Sequence, residues 1–140
     1  NIIGFSPDET KILYEATQSA TIDQVIKPAL IATNQTPEER SIKPGAVYVY
    51  DKKEDKNFKI ADEFDPELPL FWYVDSQHIV MRQPEGMAIV DYDGTNKRLV
   101  YSGPFQPEFA SMTRDGKLLI LTNFNSSTRT LPDVYSVGLR

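Results

Sequence analysis

One histidine, no cysteine and 20 carboxylates bound the chemistry open to this 140-residue chain. His78 lies in Asp75-Ser76-Gln77-His78-Ile79, three residues after an aspartate. A Ser–His–acid triad needs that histidine to meet a nucleophile, and no serine here sits in a Gly-x-Ser-x-Gly elbow. A partly exposed structural histidine is the expectation. With one His and no Cys, the usual zinc ligand sets cannot be assembled. The run Asp62-Glu63-Phe64-Asp65-Pro66-Glu67 places four carboxylates together, a donor set that a hard cation such as Ca²⁺ favours, although such a run more often forms a solvated connection. Asp91-Tyr92-Asp93-Gly94-Thr95-Asn96 looks superficially like a calcium loop, but Lys97, Arg98 and Leu99 follow where further ligands and a distal Glu belong, so a hairpin turn is expected. Carboxylate pairs for glycoside hydrolysis are defined only by separation in space. No residue is therefore assigned a catalytic or metal-binding role, and no cofactor is expected.

The elements that must position these residues repeat. Phe5-Ser6-Pro7-Asp8, Trp72-Tyr73-Val74-Asp75 and Met112-Thr113-Arg114-Asp115 each lead from a bulky apolar residue through an Asp-centred turn into a β-rich apolar run. Asp75 and Asp115 are 40 residues apart, and so are Asp51 and Asp91, which end Val47-Tyr48-Val49-Tyr50 and Met87-Ala88-Ile89-Val90. Asp8 to Asp75 is 67, so the first unit carries 27 extra residues, located between Asp8 and Asp51. A fixed period of about 40 with short strands marks a repeat architecture read as a whole.

Turn chemistry divides the second unit into four strands near 69–74, 78–83, 87–92 and 98–102. The first unit repeats this near 2–6, 11–16, 46–51 and 58–61; the third gives 109–113, 117–123 and 134–137 and then stops. The third strand of the first two units is apolar on both faces, which asks for neighbours above and below. Face-to-face blades of a β-propeller supply them. The expected fold class is all-β: propeller blades of four antiparallel strands, about three units, the third incomplete, within a larger propeller. The units run 1–64 with an insertion at 18–43, then 65–105 and 106–140. A β-sandwich is the alternative; it accounts for short strands but not for the doubled spacing.

Phe5-Ser6-Pro7-Asp8-Glu9-Thr10-Lys11-Ile12-Leu13-Tyr14 resembles the Ser-Pro-Asp-Gly hairpin of WD40-like, TolB-type β-propellers. Ile89-Val90-Asp91-Tyr92-Asp93-Gly94, with Lys97-Arg98-Leu99-Val100, is similar to the strand, turn and basic-Leu strand that close such a blade. The pattern departs from the family where Gly is replaced around Thr10 and Gln77, where Ser-Pro becomes Tyr73-Val74 and Thr113-Arg114, and where the third unit lacks a fourth strand. More weakly, the chain resembles propeller segments of prokaryotic envelope proteins that carry PEGA domains, which implies an extracytoplasmic location. Two full blades and most of a third cannot close a ring of about 4–8 blades. The chain starts at Asn1 without an initiator Met, and its first motif begins within a few residues, so a piece of something longer, or self-association of copies, is expected.

Composition narrows the partners. The net charge is −5, with 8 basic and 13 acidic side chains in residues 1–70 and 7 of each in residues 71–140. No basic stripe exists to neutralise phosphates, so nucleic acid is set aside. No apolar run approaches the roughly 20 residues of a membrane span, and a membrane enters only through an anchor outside this sequence. Two sequons, at Asn34 and Asn125, matter only in a eukaryotic secretory pathway.

What remains for function is the part that does not repeat. Ile22, Val25, Ile26, Leu30 and Ile31 are too apolar for a solvated linker, so part of the insertion packs on something: its own blade, as a flap, or a partner, as a binding loop. The candidate binding residues are Ile26, Leu30, Ile31, Glu38 and Arg40 in the insertion, with Tyr73, and Asn125 and Arg129 in the loop 122–133. The expected function is a non-enzymatic binding or scaffolding module contacting a protein partner or the remaining blades through inserted loops. The alternatives are an accessory propeller domain of a peptidase or other hydrolase, and a purely structural segment.

Overall fold

The computed structural model describes the whole chain except Ala32, Asn125, Ser126, residues 128–130 and Arg140; the candidates Asn125 and Arg129 lie outside the described residues. Strands follow one another as β1 (Ile2–Phe5), β2 (Lys11–Glu15), β3 (Ala20–Thr21), β4 (Ser41–Ile42), β5 (Val47–Asp51), β6 (Lys56–Ala61), β7 (Leu70–Trp72), β8 (His78–Gln83), β9 (Gly86–Asp91), β10 (Arg98–Tyr101), β11 (Ala110–Met112), β12 (Lys117–Thr122) and β13 (Asp133–Gly138). There is no helix among the described residues. The fold is all-β, in four antiparallel sheets that are open rather than closed into a barrel: β1-β2-β5-β6, β7-β8-β9-β10, β11-β12-β13, and the small β3-β4 pair within the insertion. Outside the insertion, whose short strands β3 and β4 the sequence does not mark, strands fall within a residue or two of the expected spans, because bulky β-formers bounded by Asp, Gly and Pro leave little choice of boundary.

The three larger sheets stack face to face in sequence order. Leu13, Val47, Val49 and Ile60 of the first sheet meet Trp72, Ile79, Met81, Ala88 and Val90 of the second in one buried core. Val80 and Met87, on the opposite face of the second sheet, meet Leu118 and Ile120 of the third in another. The middle sheet is thus covered on both sides, and β9 is buried from Gly86 to Val90. Alternation along a strand sends successive side chains to opposite faces, so a doubly covered strand must be apolar throughout, as Met87-Ala88-Ile89-Val90 is.

Each Asp-centred hairpin closes in the same way. The Ser6, Tyr73 and Thr113 N–H groups donate to the carbonyls of Lys11, His78 and Lys117. Inside the turn the aspartate is the acceptor: Asp8 Oδ1 takes the Ser6 hydroxyl at 2.7 Å and the Thr10 N–H at 3.1 Å, and Asp75 Oδ1 takes the Gln77 N–H at 2.8 Å. These bonds, led by that from Ser6, hold the Asp8 carboxyl well below its ordinary range. The positive φ that a turn glycine would supply falls on Glu9 (58°), Ser76 (61°) and Gly116 (81°), one residue earlier than the Thr10 and Gln77 positions read from the sequence. The third hairpin is also one residue shorter, so its strands equate with those of the second at a spacing of 39: His78 with Lys117 and Val80 with Leu119.

The hairpins stitch neighbouring sheets together. The Asp8 N–H donates to Ser76 Oγ at 3.0 Å, the Trp72 indole N–H donates to the Gly4 carbonyl at 3.3 Å, and the Tyr73 hydroxyl donates to the Gly116 carbonyl at 3.2 Å. The buried Lys11 places its ammonium over the Tyr92 ring, 4.6 Å from the centroid.

Candidate functional site

The insertion leaves β2 and returns to β5, and its two ends pair as β3 and β4. Between them the chain folds back over the outer face of the first sheet. That face carries Tyr14, Tyr48 and Tyr50, and Tyr48 is buried with Ala16 and Ala46, with Ile42 packed against them. Tyrosine suits such a place, offering an apolar ring and a hydroxyl that must find a partner. The Tyr14 hydroxyl donates to Asn57 Oδ1 at 2.8 Å, Tyr48 accepts the Lys43 N–H at 3.0 Å, and Tyr50 donates to Asp55 Oδ1 at 2.6 Å. Burial raises both the Tyr14 and Tyr50 phenols to about 12.

Asp55, in the turn between β5 and β6, is the hub of this attachment. It is only 4% exposed. Its Oδ2 accepts the Val25 N–H at 2.7 Å and the Ile26 N–H at 2.8 Å. Arg40 lies 3.4 Å from Oδ1 and also donates to the Asp55 carbonyl. Burial opposes the charge, but the Tyr50 hydroxyl, the two backbone donors and Arg40 together outweigh it and hold the carboxyl below its ordinary value. Glu54 grips the next part of the loop, accepting the Thr33 N–H at 3.0 Å, the Thr33 hydroxyl and the Asn34 N–H at 3.3 Å. Burial opposes its ionisation too, and these donors again prevail. Asp93, from the second sheet's hairpin, takes the Asn34 amide at 3.0 Å and the Thr36 hydroxyl at 2.6 Å. The Asn34 sequon is therefore part of an internal contact.

Further along, the loop runs beside the edge strand β6. The Glu39 N–H donates to the Asn57 carbonyl at 2.7 Å, and the Asn57 N–H donates to Glu38 Oε2 at 3.1 Å. Glu38 also pairs with Arg40 at 2.9 Å.

The sequence candidates of the insertion thus separate into two groups. Glu38 and Arg40 act inward, holding the loop to its sheet, and Ile26 lies half-buried with its N–H on Asp55. Leu30 and Ile31 face water at 49% and 100% exposure, joined by Val25 at 75%. The sequence marks Val25 only as an apolar loop residue; the structure adds that Asp55 grips its backbone. A cavity of about 40 Å³ lies beneath, lined in part by Ile26, Leu30, Arg40 and Asp55. It has room for water but for no organic ligand.

His78 stands between two carboxylates, with Nδ1 2.6 Å from Asp75 Oδ2 and Nε2 3.2 Å from Asp91 Oδ1. Both ring nitrogens thus face carboxylates. The repeat supplies the structural reason: at the same point of the unit Lys11 pairs in register with Asp51, and Lys117 lies 3.3 Å from Asp115. In the acidic run, Asp62 pairs with Lys59 at 2.8 Å, and Asp65 caps the Glu67 N–H at 2.9 Å. Tyr73 packs edge-on against His78 and bonds to Gly116, which commits it to the contact between the second and third sheets.

Comparison of the chain with protein-family models, with curated proteins and with solved structures finds no match.

Proposed function

We propose that this chain is a non-enzymatic binding module, built of WD40-like propeller blades, that presents the tip of its insertion to a protein partner. The observation that carries the reading is the contrast within the insertion: the buried Asp55 carboxylate holds the backbone at Val25 and Ile26 and Glu54 holds it at Thr33 and Asn34, while Val25, Leu30 and Ile31 stand out in water. Apolar side chains held in one place by a rigid support lose little entropy on docking. Burying each would contribute roughly 1.5–3 kcal/mol, so three exposed apolar residues of one loop can anchor an interface. Three sheets stacked in sequence order support the blade reading.

The test is a paired capture experiment from the source organism, with the wild-type chain and a Val25→Ser, Leu30→Ser, Ile31→Ser variant as baits. A partner retained by the wild type and lost with the variant is expected. Equal capture of every bound protein by both baits overturns the assignment of the tip.

A further inference from the structure

We propose that the insertion is a cap on the stack of sheets: it occupies the outer face of the first sheet in place of another sheet, and a second copy of the chain stacks on that face only when the cap is displaced. This role belongs to the underside of the insertion and does not depend on what its tip binds.

The repeat builds the same face twice. The equivalent aspartates Asp51 and Asp91 align Tyr48 with Ala88 and Tyr50 with Val90. The hairpin closures at Lys11 and His78 align Ile12 with Ile79 and Tyr14 with Met81. Cross-strand register agrees, since Tyr14 lies opposite Tyr48 as Met81 lies opposite Ala88. Phe5 takes the place of Trp72, opposite Ile12 as Trp72 is opposite Ile79. In the second sheet all five of these positions are 9% exposed or less, because the first sheet lies on them. In the first sheet Leu13, Val47 and Val49 point toward the second, so their neighbours Ile12, Tyr14, Tyr48 and Tyr50 point away. The chemistry of the two faces differs: tyrosine stands where the second sheet has Met81, Ala88 and Val90.

Tyrosines fit a cover that forms hydrogen bonds. A sheet spends its main-chain donors within its own ladder, whereas an irregular segment has donors left to meet a hydroxyl. The Lys43 N–H, at the end of the insertion, serves Tyr48. The partners of the Tyr14 and Tyr50 hydroxyls are Asn57 and Asp55, and both also hold the insertion. The Asn57 amide donates to the Glu39 carbonyl at 2.7 Å, and Asp55 accepts the Val25 and Ile26 N–H groups. Tyr48 and Asn57 are fully buried as a result. The cover ends short of β1, where Phe5 is 52% exposed against 9% for Trp72. Whatever precedes Asn1, a sheet and the insertion cannot lie on Tyr48 at the same time.

The excluded occupant is a sheet packed as the first sheet packs on the second. Without the cap the face carries Phe5 and three tyrosines, and each aromatic side chain can bury about 150–250 Å². That exceeds the few hundred Å² of apolar patch that a monomer usually exposes, so two uncapped copies bury it by stacking face to face.

The test replaces residues 22–39 by a short Gly-Ser linker and follows molar mass by light scattering over a concentration series. The uncapped chain is expected to reach about twice the mass of the wild type. Tyr48→Lys in the uncapped chain restores the wild-type mass, because stacking would bury an unpaired charge. The Val25→Ser, Leu30→Ser, Ile31→Ser variant keeps the cap and the wild-type mass whether or not it captures a partner, so the cap and the binding of the tip are read separately. Should the uncapped chain fail to fold, Asp55→Asn loosens the cap in the full chain and moves association to lower concentration than the wild type requires. A folded uncapped chain with wild-type mass overturns the proposal, as does association that Tyr48→Lys leaves unchanged. For Asp55→Asn the overturning result is a mass curve superimposed on that of the wild type.

Discussion

Asp55→Asn isolates the charge that holds the insertion. Asparagine keeps the shape of the side chain and tolerates the positive φ of 51° at this position, so the change falls on the contacts. The carboxylate accepts two backbone N–H groups and the Tyr50 hydroxyl and lies beside Arg40. Hydrogen bonds to a charged group contribute about 1.5–3 kcal/mol each, against about 0.5–1.5 for neutral ones. An amide can keep one oxygen on Val25 and Ile26, but its NH₂ then faces Arg40 and Tyr50. Weakening two bonds and turning a donor toward a cation costs about 3 kcal/mol, with Arg40 retaining Glu38 as its partner. The loss is local, because the insertion is joined to its sheet mainly through such contacts. Opening of the segment therefore rises on the order of 100-fold, read as faster amide exchange at Val25 and Ile26 with Val49 and Val90 unchanged. Two results refute the reasoning: unchanged exchange at Val25 and Ile26, or acceleration of the Val49 and Val90 amides in step with them.

Acid should release the same segment. Asp55, Glu54 and Asp93 are all held below their ordinary values, so their contribution is complete above the unfolded-state pKa near 4 and is lost as the pH falls through the lower folded-state values; the Val25 and Ile26 amide shifts should move below about pH 4 while Trp72 fluorescence stays constant. The burial that opposes the Asp93 charge is outweighed by the Thr36, Thr95 and Asn34 donors, so Asp93→Asn should free the Asn34 and Thr36 end of the loop alone, measurable as faster exchange at the Thr36 amide with Ile26 unchanged. Gly86→Ala should be the most damaging glycine substitution: it combines a φ of 152° with a Cβ placed 1.9 Å from the Tyr101 carbonyl oxygen, and a loss of about 3 kcal/mol or more is expected in urea unfolding. Its control, Gly45→Ala, shares a positive φ of 81° but meets nothing within 4 Å, so about 1 kcal/mol is expected from the same measurement. Trp72→Phe removes the donor to the Gly4 carbonyl and leaves a small void between the first and second sheets; a loss of about 2 kcal/mol in the circular-dichroism transition is expected.

The strands are legible in the sequence because their signal is local. Val47-Tyr48-Val49-Tyr50 and Met87-Ala88-Ile89-Val90 announce burial on both faces through the two-residue period of an extended backbone, and the 40-residue spacing places them in equivalent units. The turns are legible in position but not in register. Glu9 and Ser76 adopt the positive φ that a glycine would have marked, and without that glycine the sequence offers no sign of which residue turns. The candidate site is legible only as a region. Leu30 and Ile31 can be named for being apolar in a loop, yet nothing separates them from Glu38 and Arg40, which the fold turns inward.

By its own pattern the chain determined an all-β fold, the strand boundaries, and the place where the repeat is interrupted. Tertiary structure alone decided that Asp55 grips the backbone of Val25 and Ile26 across 29 to 30 residues, and that Asp93 reaches Asn34 and Thr36 from the neighbouring sheet. The physical reason is that apolar alternation is written in side chains, residue by residue, whereas a carboxylate accepting backbone N–H groups meets a donor that nearly every residue carries. Such a contact leaves no mark in the sequence until the sheets have stacked and brought the two segments together.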